Sequence, residues 1–280
     1  MSSEASGTAI LVSDVSLAYP AHGGGREFQA VEGVSFDVPS GGVTAILGES
    51  GSGKSTLARY LAARATEVAH RSAHIHLNGG EATVLGESLR RLGRRKRSRL
   101  TAHIGYLGQD DGATLPSDLN VGDILFEPIA ERVKRFDREA MGERIAEMMD
   151  LLALPLTMLQ RYPFELSKGQ RQRVAVLRSL MLTPRMVVAD EPTLGVDAVN
   201  RPKIVELLKW YREKQGATLL LVTHDIAMLE ALVDELLVMQ QSAMVGRGTI
   251  DEVFSGSDHR YVQQLAEALR TNAYDEIATE

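Results

Sequence analysis

Two stretches of this 280-residue chain carry residue types at spacings that could do chemistry. The first is GESGSGKST, residues 48–56, which fits G-x-x-x-x-G-K-[ST] with Gly48, Gly53, Lys54 and Ser55 in the fixed places. Glycines let a backbone wrap closely around phosphate oxygens, and a helix that starts at the loop aims its N–H groups at them. Glu49, Ser50, Gly51, Ser52 and Thr56 complete such a cradle. Lys54 would reach the β- and γ-phosphates and Ser55 a Mg²⁺ ion. The second is RMVVADEPT, where an apolar run ends in Asp190 and Glu191. Carboxylates at the end of a buried strand are well placed to meet a cation. Asp190 fits a Mg²⁺-holding acid, and Glu191 then stands where it could polarise a water for attack on the γ-phosphate. The competing readings are a glycine-rich turn and a pair of solvated acids.

A third stretch, ELSKGQRQRV (165–174), places Ser167 three residues before Gln170, the spacing of a capping box. Val174, Leu177 and Met181 then recur at helical spacing. The stretch predicts a helix whose first N–H groups face an anion.

These residues need a frame. Val43–Leu47, Met186–Ala189 and Ala217–Val222 are short strand-like apolar runs. Helical patterns over Lys54–Ala65, Glu139–Leu154, Ser167–Leu182 and Pro202–Lys214 lie between them. The alternation predicts an α/β fold, with a mostly parallel sheet covered by helices on both faces. The first 40 residues differ: AILVSDVSLAYP and VEGVSFDVPSGG alternate at period two, so an antiparallel β part precedes the α/β part. AHGGGREF (21–28) is expected to be a surface loop, and the tail from Ser255 one short helix that fades into polar residues.

Composition narrows the classes. A formal charge of −6 gives no general pull toward nucleic acid. Without a cysteine, disulfides and thiolate metal sites are excluded. The start of the chain lacks the apolar core of a signal peptide, and no run approaches the roughly 18 apolar residues of a membrane helix. The expectation is a soluble chain that meets a membrane only through a partner.

LSKGQ at 166–170, some twenty residues before VVADEPT, resembles the signature of ATP-binding cassette (ABC) ATPases. Other pieces fall in family order over about residues 8–255. The resemblance implies a P-loop NTPase of ABC type, with a helical subdomain at about 110–182 and a short extension over 256–280. It implies that Gln109, in IGYLGQD, senses Mg²⁺ and the attacking water. Asp197 in GVD would cross a dimer interface, His224 in LLLVTHD would sit at the γ-phosphate, and Tyr19 would stack on adenine. It also implies a head-to-tail pair with ATP between the chains, so that Ser167, Gly169 and Gln170 of one face the nucleotide on the other. The partner ATPase would be the same chain or a homologue. Two departures stand out: Lys168 replaces the usual second Gly of the signature, and LGVD replaces Ser-Ala-Leu-Asp.

GQD…VGDILFEPI (108–129), YPFELSKGQRQRVAVLRSLMLTPRMVVADEPT (162–193) and HRYVQQLAEAL (259–269) resemble the oligopeptide, dipeptide and nickel importer branch. That likeness implies ATP-driven import of a small solute through separate permease chains on the cytoplasmic face of the membrane, with a solute-binding protein as an indirect partner and no nucleic acid. The alternatives are an exporter or lipoprotein-release motor, or a soluble cassette acting on nucleic acid or ribosomes. Ala113–Pro128 is expected to help form the groove for a permease helix, with Ile124, Leu125, Phe126 and Ile129 either lining it or buried as core. RRLGRRKRSRL (90–100) is expected to be a solvated helix rather than a nucleic-acid or lipid patch. His70, His74 and His76 are expected on a solvated strand face rather than on a metal, and Trp210 and Tyr211 in packing.

Overall fold

The computed structural model describes residues 7–21, 27–66, 74–133 and 137–278. Two sheets organise it. In the first, β1 (Thr8–Tyr19) pairs antiparallel with β2 (Phe28–Pro39) on one edge and with β4 (His76–Val84) on the other, and β4 carries the short β5 (Glu87–Ser88). The antiparallel part is therefore completed by strands from beyond the first helix. In the second sheet the order is β10-β9-β3-β8-β7-β6. β3 (Val43–Gly48), β6 (Ile104–Leu107), β7 (Met186–Asp190), β8 (Thr218–Val222) and β9 (Glu235–Gln240) run parallel, and β10 (Ala243–Gly248) returns antiparallel to β9.

Why the parallel strands are continuously apolar follows from the two cores they separate. Val43, Ala45, Leu47, Val187, Ala189, Leu219 and Leu221 face one core, and Ile46, Met186, Val188, Leu220 and Val222 face the other. Successive side chains of a strand point to opposite faces, so covering both faces demands an apolar residue at every position. The second core is closed by α1 (Lys54–Leu61) and the antiparallel sheet. The first is closed by α3 (Val121–Arg132), α4 (Arg138–Leu151), α5 (Lys168–Ser179), α6 (Arg201–Gln215) and α7 (Ile226–Leu232), with α8 (Ile250–Gly256) and α9 (Arg260–Ala278) at its edge.

Three of the helices end sooner than apolar periodicity predicts. α1 stops before Ala63 and α4 before Ala153, both in the left-handed region, with φ of 58° and 49°, while α5 ends at Ser179, where the N–H groups of Leu180 and Met181 turn to the carbonyls of Leu177 and Arg178. A left-handed residue just past the last turn ends a helix whatever the pattern beyond it. At the C-terminus the reverse holds. α9 runs 19 residues, longer than the short helix expected, because Val262, Ala266 and Leu269 recur at helical spacing and are buried. Ile124, Leu125 and Ile129 of α3 lie in the core, and Phe126 is half-buried against it, so the core reading of DILFEPI holds for these four. α2 (Arg94–Thr101) is an exposed basic helix that buries only Leu100 and Thr101. His76 opens β4 and His74 precedes it, whereas His70 and loop residues 22–26 lie outside the described residues. Tyr211 is fully buried and Trp210 packs beside it on α6.

Candidate functional site

Four adjacent parallel strands, β3, β8, β7 and β6, bring their carboxyl ends together. In an open α/β sheet that edge is where ligands bind. β3 leads into the Gly48–Gly53 loop and α1, β7 ends in Asp190 and Glu191, β8 leads to His224, and β6 leads to Gln109.

The loop needs its glycines for space as well as for backbone freedom. A Cβ on Gly48 would lie 2.0 Å from the carbonyl oxygen of Met239, and one on Gly53 2.1 Å from that of Ala30. The loop is thus wedged between β9 and β2, with both glycines at positive φ. The Lys54 ammonium donates to the carbonyls of Gly48 and Glu49, each at 2.7 Å, and so closes the loop on itself. Burial lowers its pKa, against the opposing pull of Glu191, Asp190 and Glu49. Glu49 accepts from the N–H of Gln241 in the β9–β10 turn. Ser52 donates its N–H to the Glu49 carbonyl, while its hydroxyl is buried with no hydrogen-bond partner. Ser50 and Gly51 are exposed at the tip. Thr56 shares a hydrogen bond with the Tyr19 hydroxyl at 3.0 Å, and Arg59 lies over the Tyr19 ring.

Asp190 is buried at the end of β7, and burial raises its pKa against the Ser55 hydroxyl and Lys54. Its Oδ1 has no hydrogen-bond partner. An orphaned buried carboxylate oxygen beside a hydroxyl is a pair of hard oxygen donors, and these residues fit Mg²⁺. Glu191 occupies the left-handed region at φ 52°, a conformation that costs energy and tends to cluster at working sites. It is pinned there: its N–H donates to the Val222 carbonyl at 2.7 Å, and its own carbonyl accepts from Gln172. Burial, then the charge of Asp190, pushes the Glu191 carboxyl up to about 7, a value suited to a base working near neutrality. Nε2 of His224 stands 3.6 Å from Glu191 Oε1, and burial, then the charge of Lys54, lowers the pKa of this imidazole. Gln109 is exposed two residues past β6.

Ser167, Gly169, Gln170 and Asp197 form a second group, which no hydrogen bond or ion pair among the described residues joins to the Gly48–Thr56 loop. The capping box forms as its spacing predicts: Ser167 Oγ accepts from the Gln170 N–H and Gln170 Oε1 from the Ser167 N–H. Gly169 packs on the following loop, where an added Cβ would meet the Gly195 carbonyl at 3.3 Å. The Lys168 stem lies across Gly195, whose own added Cβ would meet Lys168 Cε at 2.5 Å. The two departures from the family pattern therefore touch. Asp197 accepts from the side chain and N–H of Asn200, bonds that hold its carboxyl below the usual range.

Sequence reasoning missed three residues here. Gln172 is buried and donates to the carbonyls of both Glu191 and Pro192. Arg173 is buried and donates to the Leu152 carbonyl and to Asn200 Oδ1, which places it behind Asp197. Asp111 accepts from the Gly108 N–H and shapes the turn that carries Gln109. The signal for the first two was available: Gly169, Gln172, Arg173 and Val176 share one helical face, and polar groups on a buried face need partners.

The sequence model of the ABC transporter family matches residues 31–194. The oligopeptide transport ATP-binding protein OppF of Streptococcus mutans is 32% identical over 92% of this chain and 80% of its own length. The dipeptide transport ATP-binding protein DppF of Escherichia coli is 33% identical over 87% and 70%. Among solved structures, a dimeric bacterial ABC transporter cassette is similar with a TM-score of 0.76 at 24% identity, covering 86% of this chain and 98% of that one. A post-hydrolysis cassette bound to ADP and phosphate gives 0.75 at 23%, with the same coverage. The chain belongs to the ABC transporter family, as an ATP-binding and ATP-hydrolysing subunit.

Proposed function

We propose that this chain powers import of peptides or a related small solute through separate permease chains. The observation that carries the reading is identity to oligopeptide and dipeptide transport ATP-binding proteins over about nine-tenths of the chain. Residues 8–255 act as the cassette, with 110–182 as its helical part and 256–280 as an extension. The Gly48–Thr56 loop cradles the triphosphate of ATP, Lys54 neutralises it, and Tyr19 takes the adenine. Ser55, Asp190 and Gln109 hold Mg²⁺, which supplies charge neutralisation on the β- and γ-phosphates. Glu191, ionised near neutrality, accepts the proton of the attacking water, with Gln109 and His224 placed to orient water and γ-phosphate. Ser167, Gly169 and Gln170 of a second ATPase subunit, with Asp197 at the crossing, close over the nucleotide. Ser167 accepts from the Gln170 N–H through a lone pair and keeps its O–H to donate to a phosphate oxygen, so the capping box is compatible with that contact.

Among the described residues no helix is long and apolar enough to cross a membrane; the place proposed for the chain, peripheral on the cytoplasmic face, follows from the importer reading. A cavity of about 200 Å³ beside the Gln109 turn, lined by Tyr106, Asp111, Leu115, Pro128, Arg132 and Arg178, is the proposed seat of the permease. The test is co-expression with candidate permease chains and peptide uptake in vesicles with a solute-binding protein. Co-purification in the membrane fraction and ATP-dependent uptake are expected. An ATPase that stays soluble and stimulates no transport rejects the reading.

A further inference from the structure

Tyr19 ends β1 and Phe28 opens β2, and the two are directly opposite in the antiparallel register. Residues so paired put their side chains on the same face of a sheet, with Cβ atoms about 4.5–5.5 Å apart. The Tyr19 hydroxyl bonds Thr56 and Arg59 lies over its ring, so that face is the one turned to the start of α1. Phe28 is 61% exposed, yet it lines a cavity of about 160 Å³ whose other walls are Ala30, Gly51, Gly53, Lys54, Ser55 and Thr56. An exposed apolar side chain by itself needs no explanation. This one sits at the mouth of the loop cavity, on the same face as a tyrosine whose hydroxyl is already engaged.

We propose that Phe28 is a second aromatic wall for the nucleotide base, opposite or beside Tyr19, and that the pair holds the base by its faces rather than by its edges. The inference rests on the Gly48–Thr56 loop being the triphosphate cradle. Stacking of a base on an aromatic ring tolerates any base, since each has a π-face. Phe28 thus positions the base and takes no part in the chemistry, and guanine should be held much as adenine is.

The test uses the purified full chain and its Phe28→Ala and Phe28→Trp variants. KM and kcat are measured for ATP and GTP, and affinity for inorganic tripolyphosphate, which has no base, is measured by calorimetry. Phe28→Ala is expected to raise both KM values about tenfold, with kcat changed less than about twofold and tripolyphosphate affinity unchanged. Phe28→Trp is expected to restore both. A KM for ATP within about twofold of the parent overturns the proposal, as does an equal loss of tripolyphosphate affinity, because a base wall cannot act on a ligand without a base. A rise for ATP alone overturns face-only recognition. Failure of the underlying cradle reading appears separately, as tripolyphosphate affinity that Lys54→Ala leaves intact.

Discussion

Replacing Glu191 by Gln keeps the side chain's size and removes its ionisation, so the variant tests both the chemistry and the cause of the raised pKa. The carboxyl is pushed from its ordinary 4.5 to about 7 by burial and by Asp190. At about 1.4 kcal/mol per pH unit, that displacement corresponds to about 3 kcal/mol of differential stability, and the side chain is only 19% exposed, so solvent screens little of it. The sign follows from linkage. A carboxyl whose folded pKa is raised costs the folded state nothing below pH 4.5, where both states hold the proton. The cost grows as pH rises from 4.5 toward 7 and is constant above that. The amide of the Glu191→Gln variant cannot ionise and escapes it. Thermal unfolding of the nucleotide-free variant should match the parent at pH 4.5 and exceed it by several degrees at pH 8. Phosphate release should fall at least about 10²-fold, with ATP still bound. The parent's kcat/KM should rise about tenfold per pH unit up to about 7 and then level. A stability difference that is flat with pH, or largest in acid, refutes the desolvation argument. Near-parental turnover assigns the base elsewhere.

Lys54→Ala removes the ammonium that closes the loop and should abolish measurable nucleotide binding by calorimetry while leaving the fold intact by circular dichroism. Gln172→Leu leaves the Glu191 and Pro192 carbonyls without their donor; turnover should fall about tenfold and stability by about 1–3 kcal/mol in urea titration. Lys168→Ala and Gly195→Ala should not add: Ala at Gly195 both strains a φ of 73° and strikes the Lys168 stem, and only the strain survives once the stem is gone. A coupling of about 0.5 kcal/mol or more in a double-mutant cycle is expected, whereas simple additivity would show that the stem does not occupy the loop.

The residues proposed to carry chemistry stand out in the sequence because their neighbours leave little choice. Gly48 and Gly53 are forced by the backbone of Met239 and Ala30, and the apolar runs before Gly48 and Asp190 are forced by two cores. Helix lengths were less legible, since the stops at Ala63 and Ala153 are left-handed residues other than glycine. Ile124, Leu125 and Ile129 could have been surface or core from spacing alone; only the burial of α3 against α5 and the neighbouring 3₁₀ turn decides. Gln172 and Arg173 were hidden because a polar residue in a helix is by default assigned to water.

Gln172 gives α5 two allegiances. In the proposed pair its first turn would meet a nucleotide on a second subunit, while Gln172, one turn further on, grips the carbonyl of Glu191 in its own subunit. A short rigid helix cannot shift at one end and stay still at the other. On that proposal, occupancy of the neighbouring site would be felt at Glu191, and by thermodynamic reciprocity the reverse would also hold. The two centres of a pair would then behave as one cooperative unit: a Hill coefficient for ATP above one is expected, and Gln172→Leu should return it toward one.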